Sequence, residues 1–296
     1  MKDVYLLCQI SKQAHYKARA YFREQLEREE LYIRLMEQTR EIHPGMGLRT
    51  MYEMVQPEGI GRDAFIALGV REGFRVKHTE KYTRTTYSLK QARYRNLLGG
   101  KQFTDVNQIW ATDLTYLFCL ERHYYIVLIM DVYSRRIVGY SLAGNMRAEN
   151  TLAALQMALT LRGISDYHNT LIHHSDKGSQ YAWNVYTDSL EAYRIQISMC
   201  DEVYENTHIE RLNDTLKNQY LNRWTINSQE ELKRKVHQAI ETYNTKRPHQ
   251  SLNKLTPMDF ETQLKTMPVE KHYKLEIYTT SKEDPMDPNQ LNLCFN

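Results

Sequence analysis

Cysteine is scarce in these 296 residues, and the four present (Cys8, Cys119, Cys200, Cys294) are scattered, with no CxxC pair and no paired Cys/His sets of zinc-site spacing. That excludes a disulfide framework and a structural zinc site and points to reduced thiols in a cytoplasm. No run of eighteen apolar residues occurs, so no membrane-spanning helix and no membrane partner are expected. The opening MKDVYLLCQISKQAHYK breaks its apolar residues with charge where a signal peptide needs an unbroken stretch, so secretion is not expected either. A strong charge of one sign is also missing, the net being only +3. What remains is a soluble chain, long enough for two or three domains and able to bury a real core.

The near balance of charge hides an asymmetry. Residues 1–100 hold 18 Lys and Arg against 12 Asp and Glu, whereas the remaining 196 hold 21 against 24. Within 75–101 the bias sharpens: Arg75, Lys77, Lys81, Arg84, Lys90, Arg93, Arg95 and Lys101 face a single acid, Glu80. A solvated linker would tolerate such a run. The interleaved Tyr82, Thr85, Thr86 and Tyr87 add hydroxyl donors suited to phosphate oxygens, which favours a polyanion and specifically nucleic acid.

The spacing predicts an all-helical first third. Residues 2–10 form one short helix, Ser11 caps a second over 12–22 with Lys12, Lys17 and Arg19 exposed, and together they suggest a helix-turn-helix. A longer helix is expected over 23–42, ended by Pro44 and Gly45, then helices over 48–55 and 62–72 around the turn QPEGIG. Gly99 and Gly100 mark a boundary. Beyond it the pattern turns to strands over 109–120, 124–132 and 136–142, a helix over 147–161, a strand over 171–174, a helix over 182–193 and a strand over 196–199. This is an α/β class with a mixed sheet between helices. Residues 206–243 read as continuous helix, and a hairpin is expected in the tail between 273–279 and 291–295.

Three acids stand where an acid is awkward for folding. Asp113 sits inside the apolar strand, where a buried charge is costly unless paired or bound to metal. Asp176 follows the apolar LIHH, at the strand end where α/β sheets present their sites. Glu210 lies on the helix after Asn206, with Asp214 and Lys217 on its face. Two strands and one helix can bring three carboxylates together, which suits a pair of hard cations at a phosphodiester. Asp131 is read instead as the cap of the Tyr-Ser-Arg-Arg turn. Of His173 and His174, only His174 shares a strand face with Asp176.

These segments also carry a resemblance. WATDLTY (110–116), DVYSRRIVG (131–139), HSDKGSQY (174–181), Glu210 with Leu216 and Lys217, and YN (243–244) with RPHQSL (247–252) and TP (256–257) closely resemble the IS3-family transposases of bacterial insertion sequences. The resemblance implies an RNase H-like mixed-sheet catalytic core of the retroviral-integrase type, with an all-helical N-terminal DNA-binding region. It implies Asp113, Asp176 and Glu210 as a DDE triad binding two Mg²⁺ ions, with Mn²⁺ as a substitute. Glu205 is the alternative third acid, because the 198–210 segment is shorter than the family's; the downstream Leu216-Lys217 favours Glu210. The expected organisation is a basic DNA-binding region over 1–100, the catalytic core over 101–222 and a C-terminal helical region over 223–296.

The function implied is metal-dependent strand cleavage and strand transfer during transposition, by a copy-out, paste-in route. The alternatives are a catalytically inactive DNA-binding regulator of the same fold, against which the intact acids count, and an RNase H-type nuclease, against which the basic first third counts. Expected DNA contacts are Lys12, Lys17, Arg19, Arg75, Lys77, Lys81, Arg84, Lys90, Arg93, Arg95, Lys177 and Lys217. Expected partners are transposon-end and target double-stranded DNA, further copies of the chain on that DNA, and an upstream helix-turn-helix and coiled-coil protein joined by frameshift. The location implied is the bacterial cytoplasm, at the nucleoid.

Overall fold

The computed structural model describes residues 11–77, 93–164, 171–200 and 206–277. The chain divides into two compact units, Met1–Thr79 and Glu80–Asn296. The sequence places this division near residue 100, at Gly99 and Gly100. It falls earlier because Tyr94, Leu97 and Leu98 are packed into the second unit's core.

In the first unit, Ser11 caps helix α1 (Lys12–Ile42) by accepting from the Ala14 N–H at 3.1 Å. The two helices expected over 12–22 and 23–42 are one continuous helix. No glycine or proline interrupts the junction, and the Glu24–Arg28 and Glu30–Arg34 pairs reinforce the turns beyond it. The expected helix over 2–10 lies outside the described residues, and with it half of the helix-turn-helix. Helices α2 (Leu48–Val55) and α3 (Arg62–Arg71) close on the end of α1 around Tyr32, Met36, Met51 and Phe65. A Cβ at Gly69 would stand 2.5 Å from Leu48 Cδ2, so glycine permits the close approach of α2 and α3.

The second unit is built on five strands: β2 (Ile109–Cys119), β3 (Arg122–Asp131), β4 (Ile137–Ala143), β5 (Ile172–Ser175) and β6 (Gln196–Met199), with a short β1 (Gln102–Phe103) preceding them. Their order is β4-β3-β2-β5-β6, the first three antiparallel and the last two parallel to β2. This is the mixed sheet the sequence leads one to expect, and its strand alternation sorts side chains to two faces. Val127 and Ile129 meet α4 (Ala148–Arg162) and α5 (Asn184–Ala192), whereas Ile126, Leu128 and Met130 meet α6 (Thr207–Gln219), α7 (Gln229–Thr245) and α8 (Pro257–Leu264). A Cβ at Gly139 would lie 2.2 Å from the Ala154 carbonyl, so α4 rests directly on the β4 backbone there.

The continuous helix expected over 206–243 is two helices. Trp224 and Ile226 turn into the core between them, and Ser228 caps α7 by accepting from the Glu231 N–H while Glu231 accepts from the Asn227 N–H. Of the expected tail hairpin, residues 278–279 and 291–295 lie outside the described residues; within 273–277, β7 (Leu275–Glu276) pairs with β1.

The last described segment is tied to the sheet by a buried charge cluster. Glu261 of α8 accepts from Ser134 Oγ, from Arg136 Nη1 at 2.6 Å and from Arg162 Nη1 at 2.9 Å. Burial raises its pKa, but the hydrogen bonds and charges of Arg162, Ser134 and Arg136 outweigh this and hold it below the ordinary value. A carboxylate with a depressed folded pKa stabilises above its unfolded pKa and loses that contribution as pH falls through the folded pKa. Glu261→Gln is therefore expected to lower stability by about 3 kcal/mol near neutrality, since it removes the carboxylate paired with Arg136 and leaves Arg162 only its longer contact with Asp131. Urea melts at falling pH check this: the gap between the two proteins narrows in acid, and a gap independent of pH contradicts the assignment.

Candidate active site

Asp113 follows Ala111 by two residues on β2 and so points to the face covered by α6. Leu114 donates its N–H to Asp113 Oδ1 at 2.9 Å, and Asn213 of α6 donates Nδ2–H to Oδ2 at 2.6 Å. Asp176 leaves the end of β5, next to β2 in parallel register, and accepts from the Gly178 N–H at 2.9 Å. Glu210 sits in the first turn of α6, with its side chain exposed. Burial and the charges of Asp176 and Glu210 push the Asp113 carboxyl up to about 8, against the Leu114 and Asn213 hydrogen bonds that favour its ionised form. Neighbouring Tyr181 is buried, and its hydroxyl is raised well above the ordinary value by burial and then by Asp176 and Asp113.

The three carboxylates therefore feel one another without being closed on a point. Among the described residues, no three His, Cys, Asp or Glu side chains are near enough to hold a metal ion together. The donor set still fits hard divalent cations, because oxygen donors of like charge on three elements repel until a cation lies between them.

Lys217 and Lys177 border this group. Lys217 Nζ lies 5.0 Å from the centre of the Tyr116 ring; burial lowers its pKa, and the charges of Asp214 and Asp113 partly restore it. Lys177 is half-buried beside Asp176. His174 Nδ1 is 2.9 Å from Ser198 Oγ and His173 Nε2 is 2.8 Å from the Tyr186 hydroxyl; burial pushes them down to about 4 and about 3, so both are neutral packing residues. Asp131 caps its turn, accepting from the N–H groups of Tyr133, Ser134 and Asn107.

The remaining expected DNA contacts are scattered. Lys12, Lys17 and Arg19 are exposed at the start of α1, and Arg75, Lys77 and Arg95 are exposed elsewhere. Arg93 is turned to the Ala182 carbonyl and Asn184 Oδ1. Lys81, Arg84, Lys90 and the alternative acid Glu205 lie outside the described residues. Sequence reasoning missed Asn213, which shares a helical face with Glu210 but whose amide has no meaning until Asp113 is opposite it.

Two family models, each described as Integrase core domain, match residues 104–203 and 193–257. The chain is 34% identical over 229 residues to a 31 kDa uncharacterized protein of insertion element IS600 from Shigella sonnei, covering 75% of this chain and 82% of that one. It is 31% identical over 196 residues to the transposase InsF for insertion sequence IS3A of Escherichia coli (strain K12), covering 64% and 67%. A solved HTLV-2 integrase catalytic core domain in complex with magnesium aligns at 20% identity and a TM-score of 0.44, over 56% of this chain and 99% of that one. The family models and the transposase relatives place the chain among polynucleotidyl transferases with an integrase core, and the mixed five-stranded sheet is of that kind. Within that class, the chain belongs to the IS3-family transposases of insertion sequences.

An acid whose folded pKa is raised destabilises the fold as pH climbs from its unfolded value to its folded one. In the absence of divalent cations, stability should therefore fall between about pH 4 and pH 8 through Asp113, and Asp113→Asn should raise it at neutral pH by roughly 2–4 kcal/mol. Thermal melts across that range check this: the variant lacks this slope, and added Mg²⁺ removes it from the wild-type chain. A variant less stable than wild type contradicts the reading.

Proposed function

We propose that Asp113, Asp176 and Glu210 are the catalytic triad of this DDE transposase and that they hold two Mg²⁺ ions, for which Mn²⁺ substitutes. The observation that carries the assignment is the placing of carboxylates from β2, the end of β5 and α6 within reach of one another's charge, where burial first, and then Asp176 and Glu210, raise Asp113 to about 8. When bound, the ions supply Lewis acidity to a phosphodiester and lower the pKa of the attacking hydroxyl.

The chain's own residues position the chemistry. Asn213 fixes the rotation of the Asp113 carboxylate, and the Gly178 N–H fixes that of Asp176, so both present ordered oxygens. Lys177 and Lys217, bordering the acids, suit the phosphates flanking the scissile bond. In the first reaction, water attacks the phosphorus at a transposon end in line with the departing 3′ oxygen, leaving a free 3′-hydroxyl. In the second, that hydroxyl attacks another phosphodiester, forming one P–O bond as one breaks. No covalent bond to the protein forms.

DNA is the partner of both reactions. The basic residues Lys12, Lys17, Arg19, Arg75, Lys77, Lys81, Arg84, Lys90 and Arg95 supply counter-charge for its backbone. Arg93 acts by holding the 182–184 segment rather than by reaching phosphate.

Asp113→Asn, Asp176→Asn and Glu210→Gln are each expected to abolish cleavage and strand joining on end-sequence oligonucleotides while end binding by gel shift stays within a few fold. Retained activity in Glu210→Gln with loss in Glu205→Gln would move the third acid to Glu205.

Assembly follows from the same reading. The α1 helix offers no sustained apolar heptad: Leu26 and Ile33 stand seven residues apart, but Glu29 and Arg40 occupy the positions that would continue their stripe. The chain alone is expected to pair its ends poorly, and fusion to an upstream helix-turn-helix and coiled-coil protein to restore pairing. Efficient, sequence-specific end pairing by the 296-residue chain alone refutes this.

A further inference from the structure

Residues 93–98 pass from one face of the sheet to the other beside β6, the strand at that edge. Tyr94 packs in the cluster that joins the sheet to α4 and α5, whereas Leu97 and Leu98 pack in the one that joins it to α6 and α7. Hydrogen bonds fasten the segment at two points. At the first, Arg93 Nη1 donates to the Ala182 carbonyl at 2.5 Å and Nη2 to Asn184 Oδ1 at 3.3 Å. At the second, the Leu97 N–H donates to Ser198 Oγ at 3.0 Å.

Both fastenings lead to Asp176. From Arg93 the path runs along the loop: Ala182 ends the 3-10 turn over 179–182, the Tyr181 N–H of that turn donates to the Gly178 carbonyl at 3.1 Å, and the Gly178 N–H donates to Asp176 Oδ1 at 2.9 Å. From Leu97 it crosses the strands. Ser198 Oγ lies 2.9 Å from His174 Nδ1, and since burial keeps His174 neutral, the hydroxyl accepts from Leu97 and gives its own proton to the ring. His174 is in register with Ser198 and stands two residues before Asp176, on the same side of the strand. Asp176 therefore leaves β5 between two points held by one segment. A hydrogen bond from a side chain as exposed as that of Arg93 adds little to stability. Its effect is geometric: the guanidinium fork spans the joint between the 3-10 turn and the first residue of α5, and so holds the turn that caps Asp176 against rotation at Trp183.

We propose that residues 93–98 are a strap that sets the position of the Asp176 carboxylate, with Arg93 and Ser198 as its positioning residues, and that the site's hold on divalent cations depends on it. The proposal rests on the reading of Asp176 as a metal ligand. It gives Arg93 a part in the chemistry without contact with DNA.

Mn²⁺ titrated into the full chain without DNA, with the free ion followed by electron paramagnetic resonance, tests it. Arg93→Ala and Ser198→Ala should each weaken Mn²⁺ binding by about tenfold, the low end of the loss that follows removal of a metal site's outer partners. Arg93→Lys keeps a donor for the Ala182 carbonyl and should recover most of the affinity. The slope of log K for a duplex of arbitrary sequence against log [salt], measured without divalent cations, should be the same in Arg93→Ala as in the wild-type chain. Wild-type Mn²⁺ affinity in either alanine variant overturns the strap, as does an affinity that Arg93→Lys fails to restore; should Ser198→Ala not fold, the exposed Arg93 decides alone. A slope reduced by about 0.9 also overturns it, because the arginine is then a phosphate contact. Asp176→Asn separates the two readings. Its loss of Mn²⁺ binding with retention in Arg93→Ala overturns the strap alone, whereas wild-type affinity in Asp176→Asn overturns the metal-ligand reading and the strap with it.

Discussion

Asp113 stands on the central strand of the sheet, on the face that must be covered, and the cost of keeping a carboxylate there organises much of what surrounds it. Its two neighbours across the site carry the same charge, so the ionised form is disfavoured from three directions. The fold meets this cost only partly. Asn213 and the Leu114 N–H satisfy the oxygens without neutralising them, and α6 docks through Ile209, Leu212 and Leu216 on the same face. Helix docking and site geometry are thus one constraint: the helix that buries the sheet also brings Glu210 and Asn213 to Asp113. An apolar residue at 113 would pack more easily and leave nothing for a cation to do.

The adjacent strand, in register with Trp110 three residues from Asp113, solves a similar problem in the opposite way. Asp131, also buried, is surrounded by N–H donors and Arg162, and Glu261 completes the set. There the charges are paired and structural. At Asp113 they are alike and frustrated, so two buried acids of a single sheet meet the same cost in opposite ways.

Local patterns made much of this legible in the sequence. The apolar runs around Asp113 and Asp131 gave the strands, and residues 196–199 were bounded correctly because a short apolar run lay between turn residues. Asp131 was readable as a cap because its partners lie within three residues of it. Two local features are harder to read. Nothing at 22–23 ends a helix, so α1 runs through the expected break; and the Ser228 to Glu231 capping box lies inside a segment whose composition is uniformly helical. Other features are non-local by nature. Glu261 meets Arg136 across 125 residues of chain, and its place on a short helix looks like any solvated acid until the fold closes. Asn213 is silent for the same reason.

That long-range closure bears on how the protein is made. Tyr133 and Tyr273 exchange hydroxyl-to-carbonyl hydrogen bonds and stack at 4.3 Å, while Glu261 secures the turn beside them. A nascent chain emerging from the ribosome with β2, β3 and the triad already translated still lacks the segment that locks the turn of its central hairpin. Completion of the second unit is thereby deferred until synthesis has passed Tyr273, and a message cut short ahead of that codon yields a product that contains Asp113, Asp176 and Glu210 but not the segment that locks the turn.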